Sequence, residues 1–246
     1  MKEHIFEMQL LRGLEVDIEG LKIRPHTLEE LIDVVGLEAY YQYIGFVSIQ
    51  KKDVNEFFRL QGEEYEKTSV FQMLLFHELL AKCLVDFFEF VTRNEAEIFY
   101  TPTWKTIVIE HKDGRLVVGH KNIDQILEKI FKAYCIKASK EEKEEFNPAN
   151  EQARELMERI RKNRAKAPKT KPDVDLSSII SAVAWRSNSM TIESVWKLTM
   201  YQLYDAFYRL DIIDTYDKTL TALYAGTMDA KKTKLNKQLW YRRCDI

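Results

Sequence analysis

Between Ile192 and Leu210 apolar side chains return every third or fourth residue: Ile192, Val195, Trp196, Thr199, Met200, Leu203, Phe207 and Leu210. That is the repeat of one helical face, and it commits this part of the chain to a helix backed onto a core. Thr191 stands where an N-cap belongs, ahead of Glu193 and Ser194. Tyr201, Tyr204 and Tyr208 form a second stripe beside the first. A helix apolar on one face and tyrosine-rich on the next is suited to burial on two sides, in a bundle or against a partner chain. Leu176 to Trp185 predicts a helix before it, and Asp211 to Ala225 another after it.

The rest of the chain divides around a compositional break. Lys140-Glu-Glu-Lys-Glu-Glu145 has no core face, Ala149 to Arg164 reads as a charged helix with few apolar anchors, and Ala165 to Asp173 is a proline-punctuated linker. The 246 residues therefore predict an α+β, mostly α protein: an N-terminal helical domain with small antiparallel β elements (1–138), a charged helix and linker (139–173), and a C-terminal helical unit with a basic tail (174–246). Residues 1–138 hold 17 Lys+Arg against 23 Asp+Glu and the remainder 20 against 16, so an acidic front precedes a basic back.

In the front part, Ile5 to Leu10, Leu14 to Ile18 and Leu21 to Ile23 alternate like a small strand ribbon. Thr27-Leu-Glu-Glu30 has the form of a capping box, opening a helix that Gly36 ends, and Leu37 to Ile49 predicts a second helix. A third is expected from an Asp53 cap to Leu60, then a polar loop over Gln61 to Lys67, then one long helix from Val70 to Arg93 capped by Thr68 or Ser69. Ile98 to Tyr100, Thr106 to Ile109 and Leu116 to Val118 predict a meander, and Asn122 is placed to cap a helix reaching Cys135.

No catalytic constellation emerges, and an enzyme is not expected. Among only eight glycines neither GxGxxG nor GxxxxGK occurs, and no serine lies in a GxSxG elbow. His77-Glu78 lacks a second ligand at helical spacing, since position 81 is Ala81, and His26, His111 and His120 occur singly. No cofactor or metal is expected. Cys83, Cys135 and Cys244 form no CxxC pair, which favours free thiols in a reducing compartment. The N-terminus has no signal-peptide character, and the apolar window Val70 to Val91 carries too many charges to span a membrane.

Two surfaces are candidates for partners. Trp185, Trp196, Tyr201, Tyr204 and Tyr208 have the side chains that dominate protein interfaces, although helical spacing alone favours a bundle core. Arg159, Arg161, Lys162, Arg164, Lys166, Lys169 and Lys171, seven cations in thirteen residues, suit an acidic protein surface or nucleic acid, or a solvated linker.

Three stretches resemble bacteriophage proteins encoded near tail genes in phages of Gram-positive hosts. They are Leu21-Lys-Ile-Arg-Pro-His-Thr-Leu-Glu-Glu-Leu31 with Tyr40-Tyr-Gln-Tyr43, then Asn147-Pro-Ala-Asn-Glu-Gln-Ala-Arg-Glu-Leu-Met157, and at the C-terminal end Leu176 to Ser181, Val195 to Tyr204 and Thr221 to Gly226. The resemblance implies a tail assembly chaperone or related morphogenesis factor of the host bacterial cytoplasm. Such a protein binds the tape measure protein, tail tube subunits or both, and can form homo-oligomers. The alternatives are a structural virion protein at the head-tail connection or baseplate, and a nucleic-acid-binding protein acting through the basic linker.

Overall fold

The computed structural model describes residues 3–112, 114–136, 174–228 and 239–242. The whole 139–173 segment, including all seven cations from Arg159 to Lys171, and most of the basic tail from Lys231 lie outside these residues. The chain opens with helix α1 (Glu3–Leu11), not the expected strand. Phe6 and Leu10, four residues apart, are both buried, so the short apolar run obeys the helical repeat that a six-residue window cannot separate from alternation. The ribbon is the hairpin that follows, β1 (Val16–Ile18) against antiparallel β2 (Leu21–Ile23), with Val16 opposite Ile23.

Thr27 opens α2 (Leu28–Glu30) with the expected capping box: the Glu30 amide donates to Thr27 Oγ1 at 3.2 Å, and the Thr27 amide to Glu30 Oε2 at 2.8 Å. The helix continues as a π-helical turn, Leu31–Val35, and ends at Gly36, whose φ of 85° a side chain would resist. Then come α3 (Leu37–Val47), α4 (Lys51–Phe58) and α5 (Gly62–Lys67). Two expectations fail in this stretch. Asp53 lies inside α4 and does not cap it, the N-cap position falling to Gln50. Gln61 to Lys67 is no loop, because acidic Glu63 and Glu64 in the first turn and Lys67 in the last suit the dipole of a short exposed helix.

The long helix from Val70 is two helices, α6 (Val70–Phe76) and α7 (Glu78–Val91), parted at His77, whose backbone is extended. Ser69 and Gln72 form the capping box of α6, and the Tyr100 hydroxyl donates to the Leu75 carbonyl at 2.8 Å near the break. The meander is as expected, β3 (Glu97–Thr101), β4 (Thr106–His111) and β5 (Gly114–Val118) in sequential antiparallel order. Helix α8 (Ile123–Tyr134) turns an almost wholly buried face inward. Asn122 takes its N-cap position, as expected, but makes no side-chain capping bond. Its side chain accepts from the Gly119 amide and donates to the Val117 carbonyl, tying the preceding turn.

The C-terminal part contributes α9 (Leu176–Arg186), the single turn α10 (Ile192–Val195) and the 25-residue α11 (Met200–Tyr224). The helix expected over 191–210 is thus interrupted, and the one expected from Asp211 is its uninterrupted continuation. Thr191 and Thr199 each head a capping box, with Ser194 and Gln202. Thr199 is therefore a cap and not part of an apolar stripe. Ile179, Val183, Val195, Met200, Tyr201 and Leu203 join Phe6, Leu10, Phe87, Phe88, Ile130 and Tyr134 in one buried cluster. The fold is mostly α with two small antiparallel sheets, and among the described residues both halves of the chain supply its core.

Candidate functional site

The interruption before α11 is where the halves of the chain meet. In a continuous helix the Trp196 and Leu198 carbonyls would accept from amides four residues on. Here they accept instead from the Glu29 amide at 3.0 Å and the Leu28 amide at 2.8 Å. Those two amides are among the donors that every helix N-terminus leaves without an internal partner, so the C-terminal segment closes the end of α2. Thr27 and Thr199, the two caps, face each other across an antiparallel bridge. The Gln202 amide adds a bond from Nε2 to the Leu11 carbonyl, 2.8 Å.

This joint sets the fate of each aromatic residue singled out from the sequence. Tyr201 is only 4% exposed and packs in the core. Tyr204 and Tyr208 are half-buried, with ring centroids 6.1 Å apart. Trp185 is 84% exposed at the end of α9. Trp196 is half-buried and shares a groove of about 480 Å³ with Glu29, Ile32, Asp33, Glu193 and Lys197. The structure therefore does not assemble the five aromatics on one surface. It sends one to the core, leaves Trp185 facing solvent and gives Trp196 new neighbours from the π-helical turn.

On the other flank of that turn lies a cluster the sequence did not reveal. The imidazole of His26, 5% exposed, hydrogen-bonds through Nδ1 to the Tyr134 hydroxyl at 2.8 Å and stacks on Phe90 at a centroid distance of 4.9 Å. Arg93 donates to both carboxylate oxygens of Glu30 at 2.8 and 2.7 Å, and to the Arg24 and Pro25 carbonyls at 2.9 and 3.2 Å. A fork of this kind fixes orientation as well as charge. Burial, helped by the Arg93 guanidinium, pulls the His26 pKa from 6.5 to about 4, so the ring is neutral near pH 7. The Arg93 hydrogen bonds pull Glu30 from 4.5 to about 2, while burial pushes the Tyr134 phenol up.

Arg93 occupies an unfavourable backbone position to do this. Helix α7 ends in a Schellman motif, the Asn94 amide reaching the Glu89 carbonyl at 2.9 Å and the Arg93 amide the Phe90 carbonyl at 3.1 Å. Arg93 fills the left-handed position with φ 58°, where glycine is usual, and Asn94 follows at φ 56°. The guanidinium is what glycine would lack. Glu30 was legible as a cap, but Arg93 lies 63 residues away and Tyr134 lies 108 residues from His26. The one local signal was a helix ending in Arg-Asn with no glycine.

With Tyr134, Glu30 and Arg93 engaged in these bonds, the cluster is arranged to brace the start of α2. Among the described residues no group of three His, Cys, Asp or Glu side chains could hold a metal ion. Cys83 is exposed and Cys135 half-buried, both as free thiols, while Cys244 lies outside the described residues. No helix among the described residues is long and apolar enough to cross a membrane.

Residues 166–245 match the family model described as the YomV second domain. The chain is 24% identical over 188 residues to the SPbeta prophage-derived uncharacterized protein YomV of Bacillus subtilis (strain 168), covering 76% of this chain and 73% of that protein. No solved structure matches. The joint and both tryptophans lie on a chain whose likeness is to a prophage-derived protein, and that likeness supports a phage derivation.

Proposed function

We propose that the chain is a non-enzymatic phage protein that assists tail assembly in the host cytoplasm by binding the tape measure protein, tail tube subunits or both. The observation that carries the protein-binding part is the exposure of Trp185, 84% accessible on a helix whose opposite face is core. An indole left in water is the kind of anchor that interfaces bury for most of their energy. Trp196 in its groove offers a second anchor. The prophage likeness and the resemblance to proteins encoded near tail genes support the setting. Tyr204 and Tyr208 contribute only their exposed edges, and Tyr201 acts through packing.

The test is affinity capture of the tagged chain from phage-producing cells with mass spectrometry, repeated with Trp185→Ala and Trp196→Ala. Recovery of tape measure or tube protein, lost with either variant, is the expected result. Recovery of nucleic acid alone, weakening as salt rises, would shift the function to the Arg159–Lys171 run. Abundance in purified particles equal to that of a tail component would make the protein a permanent part of the virion.

A further inference from the structure

We infer that the groove between the π-helical turn and the Trp196 turn receives a cationic, amphipathic segment of a partner protein. This deepens the protein-binding function proposed above and rests on it. The groove has an apolar pair contributed from both halves of the chain, Ile32, 40% exposed, and Trp196. Its rim holds three carboxylates, Glu29, Asp33 and Glu193, against one cation, Lys197. Among the described residues no ion pair engages any of the three carboxylates.

The π-helical turn is what creates this surface. It buries Leu31 and turns Ile32 and, beyond the groove, Val34 to solvent, the latter 78% exposed. Exposed branched side chains beside these carboxylates suit an occupant that brings both apolar side chains and cations, as one face and flank of a basic helix do. An acidic segment would meet like charge, and an apolar one would leave the rim unpaired. Volume agrees, since about 480 Å³ holds a few large side chains and not a domain. The Glu29 amide bonds the Trp196 carbonyl and the Leu28 amide the Leu198 carbonyl, so the two segments that line the groove are tied to each other without a partner.

The experiment uses the full chain and two labelled peptides of about 18 residues with the same leucine face, one carrying lysine and the other glutamate on its polar face. Fluorescence anisotropy should show the lysine peptide binding at least about ten-fold more tightly, and more weakly as salt rises. Asp33→Lys with Glu193→Lys, and separately Ile32→Ser, should each weaken it by about ten-fold or more, while Glu97→Lys on β3 leaves it unchanged; circular dichroism confirms that each variant folds. Equal binding of the two peptides, binding of neither, or indifference to the groove variants would overturn the inference. So would a gain of about ten-fold in peptide affinity when the seven cations of Arg159–Lys171 become Gln, because the occupant would then be this chain itself. Tail protein captured by the wild type, lost with Trp185→Ala and kept with the double reversal, would sink the groove and leave the proposed function standing.

Discussion

Lowering the pH from about 7.5 to about 5 should remove about 2 kcal/mol of folding free energy through His26 alone. The folded-state pKa lies near 4 against 6.5 for a free imidazole. At about pH 5 the unfolded chain is then almost fully protonated at this site and the native chain about one-tenth protonated, whereas at about pH 7.5 both are neutral. A histidine held neutral gives stability that is whole above its unfolded pKa and is lost as pH falls from 6.5 toward 4. The groups facing it are Arg93, which disfavours a second positive charge, Glu30, which favours one, and the Tyr134 hydroxyl. Glu30 titrates below its ordinary 4.5 and stays out of this window. Urea unfolding followed by circular dichroism at several pH values gives the slope, and His26→Gln removes the titrating group while keeping a polar side chain. The variant should start less stable near neutrality and lose about 2 kcal/mol less on acidification than the wild type does. Parallel curves for the two proteins would refute the buried neutral imidazole.

Further predictions follow from single contacts. Arg93→Ala should cost about 1–3 kcal/mol through loss of the bonds to Glu30 and two carbonyls, and Arg93→Gly about 1 kcal/mol less than that, since glycine accepts the left-handed backbone; equal denaturation midpoints for the two would contradict the strain argument. The buried Tyr40 hydroxyl makes no hydrogen bond among the described residues, so Tyr40→Phe should raise stability by up to about 1 kcal/mol, and a lowered melting temperature would show that the hydroxyl has a partner. Thr199→Ala should cost about 1 kcal/mol for the α11 cap, measured by urea unfolding, and its effect should be non-additive with Thr27→Ala because the two caps pair across one bridge.

Amino-acid order by itself determined the helical bias, the meander and the caps at Thr27, Ser69 and Thr191, because caps and periodic faces are made by residues within a few positions of one another. It did not determine that Glu3–Leu11 is a helix, since so short an apolar run satisfies either repeat until Phe6 and Leu10 find a core. Nor did it show the break before Met200, because the Trp196 and Leu198 carbonyls leave the helix only when the amides of Leu28 and Glu29, far away in sequence, compete for them. The same holds for the brace of His26, Tyr134, Glu30 and Arg93, of which the sequence singled out only a lone histidine, a cap and the last residue of an expected helix, and Tyr134 not at all. Tertiary structure decided their roles, because desolvation and a bidentate ion pair exist only once groups 63 and 108 residues apart are brought within hydrogen-bond distance.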